Sequence, residues 1–268
     1  MADDARAGLA GALTFHAGFD RGADADFARG DRAVYTVPPE TGALTPGLGD
    51  PPLAIVAGRG RFGGALEFGL ENSHVVAYRA QGNVAYAPER FRGTVSFWLS
   101  LDPADIPGQY CDPFQLTDKD YSDACIWLDF TKNDTPSDLR LGVFGDRDEW
   151  DVKRTQSDSQ EFYWRLLKVA EPPFARGRWT HVAVTWDGLN DSRGGRARLY
   201  FDGFDRGATG VIRERFSWDV TKALIRLRTG RYVGLIDDLA FFDRPLSAGE
   251  VGALHGLERG VADLHSPG

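Results

Sequence analysis

The polar sides of alternating segments in this 268-residue chain carry Trp98, Gln115, Trp127, Asp129, Arg140 and His181. Sugars present flat apolar ring faces edged by hydroxyls. A site that takes them needs aromatic rings to stack on and amides, carboxylates or guanidiniums to read the hydroxyls. Trp98 and Trp127 with Gln115, Asp129 and Arg140 supply that combination, His181 joins them on the same parity, and Trp150 and Trp164 are candidates for the rim. A structural use of the same residues stays open: the tryptophans lie beneath the charged segment Asp146 to Leu166 as a second small core, and the polar groups pair among themselves.

What positions these residues is period-two alternation. Thr94 to Leu101 sends Val95, Phe97, Leu99 and Leu101 one way and Trp98 the other; Cys125 to Phe130 opposes Ile126, Leu128 and Phe130 to Trp127 and Asp129. Pro113 to Thr117, Leu139 to Val143, His181 to Trp186, Ala197 to Phe201, Ala223 to Leu227 and Gly234 to Asp243 read as strands for the same reason. Weaker strand patterns cover Leu13 to Phe19, Ala33 to Val37, Leu53 to Val56, Phe62 to Phe68, Val75 to Tyr78, Val84 to Tyr86 and Val211 to Trp218. Asp187-Gly188, Gly194-Gly195 and Asp202-Gly203 supply the reversals. Ser247 and Glu250 form a capping box that opens a short helix with Val251, Leu254 and Leu257 on one face. Arg21 to Gly60, rich in glycine and proline, reads as a long surface excursion.

Many short strands and one helix imply an all-β chain of two packed antiparallel sheets, a jelly roll, over residues 13–259. Residues 1–12 are expected to be a disordered N-terminal segment, and 260–268 a frayed tail. Apolar residues make up 42% of the chain, enough for a sizeable core, and no apolar run reaches the ~18 positions a membrane-spanning helix needs. A net charge of −8 argues against nucleic acid or acidic membrane as partner and leaves neutral or cationic ligands open. The only cysteines, Cys111 and Cys125, flank a predicted hairpin. A disulfide closing a loop of about 15 residues would stabilise by ~3 kcal/mol; two free buried thiols are the alternative. The opening MADDARAGLAGA lacks the basic-then-apolar pattern of a signal peptide.

The stretch from Gly177 to Gly203, GRWTHVAVTWDGLNDSRGGRARLYFDG, resembles the W-x-H-V-A-V-T-x-D-G … L-Y-x-D-G signature of laminin-G-like domains, in the concanavalin A-like lectin and glucanase superfamily. FGGALEF at Phe62 and IDDLAFFDRPL at Ile236 resemble the family's early and final strands. The resemblance implies a concanavalin A-like sandwich with a structural calcium, held by an acidic residue after the first strand and one in the last. These positions match Asp20 and Asp237, with carbonyl oxygens near Gly63 completing a hard-oxygen set. Asp20 also suits an ordinary turn.

Hydrolases and lyases of the same superfamily set a catalytic test. The E-x-D-x-x-E strand of its retaining glucanases places two carboxylates as nucleophile and acid. Glu149-Trp150-Asp151-Val152-Lys153-Arg154 comes nearest, with Arg154 in place of the last glutamate and no strand pattern. Its lyases use a tyrosine and a histidine to take a uronate proton, and His181, Tyr200, Arg140 and Gln115 have suitable types. Gly58 to Gly63 matches G-x-G-x-x-G, but the strand-like ALEF follows it instead of a helix, so it reads as a glycine turn. Asp118, Asp120 and Asp123 lack calcium-loop spacing and read as a solvated hairpin tip.

The expectation is a non-catalytic, lectin-like carbohydrate-binding module. Its partner is a glycan or another extracellular ligand, and its setting is extracytoplasmic, as part of a processed or larger exported chain. A polysaccharide lyase or glycoside hydrolase of the same fold, and a structural or adhesion domain, are the alternatives.

Overall fold

Alternation with a period of two becomes two antiparallel sheets packed face to face in the computed structural model. It describes residues 2–38, 42–49, 53–69, 74–106, 110–132, 137–154, 159–227, 229 and 231–265. The first sheet runs, edge to edge, Phe204–Ala208, Arg196–Phe201, Thr180–Leu189, Phe91–Ser100, Gly234–Phe242, Leu13–Ala17 and Phe27–Ala28, with Ala65–Phe68 and Ala54–Val56 continuing beside the last long strand. The second runs Leu166–Val169, Leu139–Phe144, Cys125–Phe130, Cys111–Thr117, Leu224–Leu227, Val75–Arg79, Tyr35–Val37 and Thr45–Pro46. The first and last long strands of the chain are neighbours, with Phe15 opposite Phe241. Asp202 and Gly203 both adopt positive φ, at 50° and 83°, and make the tight hairpin between Arg196–Phe201 and Phe204–Ala208.

The inner faces carry the predicted parity. Val95, Phe97 and Leu99 from one sheet share a single buried core with Ile126, Leu128 and Phe130 from the other. Phe114 touches Phe97 and Phe241 across the gap, with ring centroids 5.7 Å and 6.2 Å apart. Each such side chain contributes about 1.5–3 kcal/mol on burial, so this seam is the main source of stability.

The outer face of the first sheet is roofed by helices. Ala248–His255 begins with the predicted capping box, Ser247 accepting from the Glu250 amide and Glu250 from the Ser247 amide. Its Val251 and Leu254 pack with Leu9 and Val261 on the outward-facing Ala183, Tyr200 and Phe242. Residues 1–12, expected as disordered, contain a helix over Ala2–Ala12 with Leu9 fully buried. Of the segment expected as a frayed tail, Ala262–His265 forms a short helix. Asp238 accepts hydrogen bonds from the Val261 amide at 3.1 Å and meets His16 Nε2 at 2.8 Å, while His265 Nε2 lies 2.8 Å from His16 Nδ1. Neither contact has a local sequence signal, because both partners come from the far end of the chain.

Other differences are local. Val211 to Trp218 forms only a bridge, Gly195 to Ile212, and Val84 to Tyr86 sits in a turn. Leu166–Val169 and Phe204–Ala208 are additional edge strands. The Asp146 to Leu166 insertion holds two single-turn helices, Arg147–Trp150 and Gln160–Tyr163, and its 155–158 portion lies outside the described residues. Cys111 and Cys125 are free and buried. Cys111 pairs with Phe130, at the opposite end of the strand that starts at Cys125. That is about 16 Å along the strand, beyond the reach of a disulfide.

The helical roof generates a stability prediction. Leu9→Ala removes a fully buried side chain from a small cluster and is expected to cost about 2–4 kcal/mol in chemical denaturation. A change below about 0.5 kcal/mol, typical of surface positions, would mean that the N-terminal helix does not dock.

Candidate functional site

The expected ligand residues separate onto two outward faces, because their strands belong to different sheets. Trp98 and His181 lie on the first sheet, directly opposite one another. There they are sealed. Trp98 is 3% exposed, stacked on His255 at 5.3 Å, met edge-on by Phe62 at 5.7 Å and covered by the Arg61 guanidinium at 4.9 Å. His181 shares a 2.8 Å hydrogen bond with Ser96 Oγ, and burial together with neighbouring His255 pulls its pKa down to about 3. Neither residue reaches a ligand, so both leave the expected binding set, and His181 leaves the lyase-like set. Tyr200 is buried under the helical roof of the same face.

Gln115, Trp127, Asp129 and Arg140 are brought together on the outer face of the second sheet, where Trp127 is paired with both Gln115 and Gly142, and Asp129 with Arg140. Arg140 grips Asp129 at two points: Nε donates to Oδ1 at 2.8 Å and Nη2 donates to Oδ2. Its guanidinium also lies over the rings of Tyr110 and Trp127, at 5.5 Å and 5.7 Å. Gln115 faces away from the others in function. Its Oε1 accepts from Arg226 Nη1 at 3.0 Å, so it positions that arginine and does not line the cavity described below.

Trp127 is only 3% exposed, because the insertion covers it as the alternative reading of the sequence anticipated. With Cys125, Phe144, Trp150 and Phe162 it forms a second small core outside the sheet. Its ring lies flat across Gly142, where a Cβ would come within 2.2 Å of the indole. Three indole N–H groups pin the preceding hairpin: Trp127 donates to the Tyr121 carbonyl, Trp150 to Ser122 and Trp218 to Ala124, at 2.8, 2.9 and 2.6 Å. Asp118 and Asp123 of that hairpin accept from the Asp219 and Arg147 amides, so they brace loops. Glu149 and Asp151 pair with Arg215 and Arg147. Trp150 is core, and Trp164 borders a separate groove beside Gly210 and Ile212.

The pinned hairpin and the insertion enclose a cavity of 220 Å³ over Asp129 and Arg140, with one edge of Trp127 in its wall. Its rim is aromatic. Tyr110, Tyr121 and Tyr163 are 50%, 44% and 53% exposed, unusual for large rings in a folded chain. Phe162 and Asp112 complete the lining, and Asp112 is the second carboxyl in it. Burial pushes the Asp112 carboxyl up to about 7 and the Asp129 charge adds to that, while Thr229 and Arg140 pull the other way. Its Oδ1 has no hydrogen-bond partner. Tyr110 and Tyr121 escaped the sequence reading because they sit in irregular chain, and Asp112 because it lies where the register of Cys111–Thr117 against Cys125–Phe130 shifts, so that alternation gives no facing. Tyr163 was visible only as part of an aromatic triplet.

Asp20 and Asp237 flank the loop that follows the Gly58–Gly60 turn. Asp20 Oδ1 accepts from the Gly64 amide at 2.7 Å, and Asp237 Oδ2 from the Phe62 amide at 3.0 Å. Gly63, at φ 123°, allows this approach, since a Cβ there would come within 2.3 Å of Asp20 Oδ1. Asp237 is fully buried, its Oδ1 has no partner, and burial raises its pKa to about 7. Among the described residues no group of three or more His, Cys, Asp or Glu is placed to hold a metal, so the donor set here is two carboxylates and whatever carbonyls the loop offers.

Two predictions follow from this geometry. Gly142→Ala drives a methyl group into Trp127 and is expected to destabilise by about 1–3 kcal/mol with a changed tryptophan emission, read by denaturation and fluorescence. Asp112 binds its proton more tightly folded than unfolded. Its contribution to stability is therefore complete below about pH 4 and lost as pH rises through about 7. Asp112→Asn should flatten that part of the stability profile; a profile identical to wild type would place the Asp112 carboxyl in solvent.

The fold has counterparts. The Laminin_G_3 family model, described as concanavalin A-like lectin/glucanases superfamily, matches residues 88–252. No curated protein sequence matches the chain. Among solved structures, domain 4 of AbnA, a GH43 extracellular arabinanase from Geobacillus stearothermophilus, in complex with arabinotriose, superposes with a TM-score of 0.55 at 15% identity, over 90% of this chain and 97% of that one. The botulinum neurotoxin serotype D ligand binding domain in complex with N-acetylneuraminic acid gives 0.59 at 14% identity, over 94% of this chain and 52% of its own, so the chain spans about half the length of that neurotoxin domain. At such identities the likeness is one of fold. With more than half of its residues matched by the family model, the chain belongs to the concanavalin A-like lectin/glucanase superfamily.

Proposed function

We propose that the chain is a carbohydrate-binding module of a larger exported protein and that the cavity over Asp129 and Arg140 is its site. The observation that carries this reading is the ring of half-exposed tyrosines, Tyr110, Tyr121 and Tyr163, around a pocket floored by fixed polar groups. Rings at the rim stack on a sugar face, and the Asp129–Arg140 pair is held rigid enough to read hydroxyls without further ordering. At 220 Å³ the cavity is smaller than the roughly 300–1,000 Å³ of pockets for drug-sized ligands, which fits one sugar unit inside and its neighbours across the rim. The ligands named for the two structural counterparts, arabinotriose and N-acetylneuraminic acid, support a sugar as the class.

A hydrolase would draw on the neighbouring carboxyls Asp112 and Asp129. Against this, both Asp129 oxygens are engaged by Arg140, which leaves Asp112 as a single free carboxyl where the two-carboxyl mechanism needs a pair. Binding without turnover is the reading favoured. On a glycan array followed by calorimetry, Tyr163→Ala, a surface change, is expected to weaken any hit about ten-fold, roughly 1.4 kcal/mol of stacking. Undiminished binding in this variant would remove the rim from the site, and product release that Asp112→Asn abolishes would favour the enzyme.

Calcium at Asp20 and Asp237 forms a second part of the proposal. The unpartnered Oδ1 of buried Asp237 is the supporting observation, a hard oxygen left without a donor. Bound calcium would staple the loop to the last strand, with loop carbonyls and water bringing the coordination to the six or more oxygens it takes. Melting in calcium against chelator is the check. Saturating metal, at about 100 times its Kd, should stabilise by about 2.7 kcal/mol, and Asp237→Asn should abolish the difference. Equal melting temperatures for wild type in both conditions would exclude the site.

A further inference from the structure

The cavity contains two carboxyls, and its one guanidinium is already committed. Two of the five N–H donors of Arg140, on Nε and Nη2, are directed at Asp129, which neutralises its charge, and its face rests on Tyr110 and Trp127. Lys132 holds its ammonium 4.7 Å over the outer ring of Tyr110. Among the described residues no other basic side chain lines the cavity. Among the described residues the Asp112 carboxyl, beside this pair, accepts a hydrogen bond only from Thr229 Oγ1, at 3.3 Å through Oδ2. An entering carboxylate would therefore meet a carboxyl with no counter-ion at Asp112 and, among the described lining residues, one guanidinium already paired with Asp129, the Lys132 ammonium lying outside over Tyr110.

Resting on the carbohydrate reading, we propose that this site selects uncharged sugar units and rejects uronic or other acidic ones, with Asp112 as the residue that discriminates. A hydroxyl can donate to the Asp112 carboxylate or accept from its protonated form, so a neutral ring is accommodated in either state. A carboxylate can only accept. Like charges brought together in a partly desolvated pocket cost several kcal/mol, more than the gain from one extra ring contact. The groups facing Asp112 are Asp129 from the adjacent strand, Arg140 from the strand beyond it, Thr229 from the loop opposite, and the phenols of Tyr110 and Tyr121. Of the acidic ones Asp129 is locked to Arg140, which leaves Asp112, with its carboxyl raised to about 7, as the group whose charge changes near neutrality.

The test uses matched neutral and acidic oligosaccharides, galactan against galacturonan oligomers, titrated into the full chain by calorimetry. At about pH 8 the wild type is expected to bind the neutral oligomer at least about ten-fold more tightly. Lowering to about pH 5.5 protonates Asp112 while a uronate stays ionised, so the gap should close, and Asp112→Asn should close it at both pH values. Equal or tighter binding of the acidic oligomer at pH 8, or a gap that survives in Asp112→Asn, overturns the inference while leaving a sugar site in place. If neither oligomer nor any other glycan on an array binds, the carbohydrate reading fails and the inference with it.

Discussion

The apolar seam between the two sheets is the interaction on which the rest of this molecule depends. Phe97, Phe114 and Phe241 meet across it, and Val95, Ile126, Leu128 and Leu141 fill in around them. Once these side chains are committed inward, the pleat sends Ser96, Trp127, Asp129 and Arg140 outward, because successive residues of a strand point to opposite faces. A one-residue slip in any strand would bury the polar set and expose the apolar one, so the seam sets the register and through it the outward chemistry.

Outward does not mean available. The helices Ala2–Ala12 and Ala248–His255 close over the first sheet, and the loop around Arg61 and Phe62 finishes the covering at Trp98. The bulge at Asp238, with φ at 54°, assists: it turns Asp237 toward that loop and Asp238 toward His16 and the C-terminal segment. The second sheet receives only the short Arg147–Trp150 and Gln160–Tyr163 helices. They bury most of Trp127 and stop short of the Asp129–Arg140 pair. What remains open is a small pocket walled by the edge of one tryptophan and rimmed by three tyrosines. The asymmetry between a sheet roofed by two longer helices and one covered by two single-turn helices and a rim of tyrosines places the candidate site.

Much of the scaffold was readable before any coordinates. The strands at Cys125–Phe130 and Leu139–Phe144, the Asp202-Gly203 turn and the Ser247 capping box rest on neighbours within a few positions, and each occurs where the pattern puts it. Leu9, Asp238 and Val261 were unreadable for the opposite reason: their partners lie more than twenty positions away, and no local rule reports such contacts. Of the binding set, Asp129 and Arg140 were foreseen together because cross-strand neighbours follow from alternation and hairpin register. Tyr110, just before a strand, and Asp112, beside the register shift at that strand's start, carry no facing information.

The chain by itself determined the class of architecture, the parity of each long strand and the composition of a sugar-reading surface, all consequences of spacing along the backbone. Only the tertiary structure decided which outward residues share a sheet. Trp98 and Trp127 have the same parity and nearly the same local pattern, yet one lies sealed beneath a histidine and an arginine and the other in the wall of a pocket. Strand order is settled by how two sheets bury their apolar faces against each other, a long-range balance of packing that alternation within a strand does not encode.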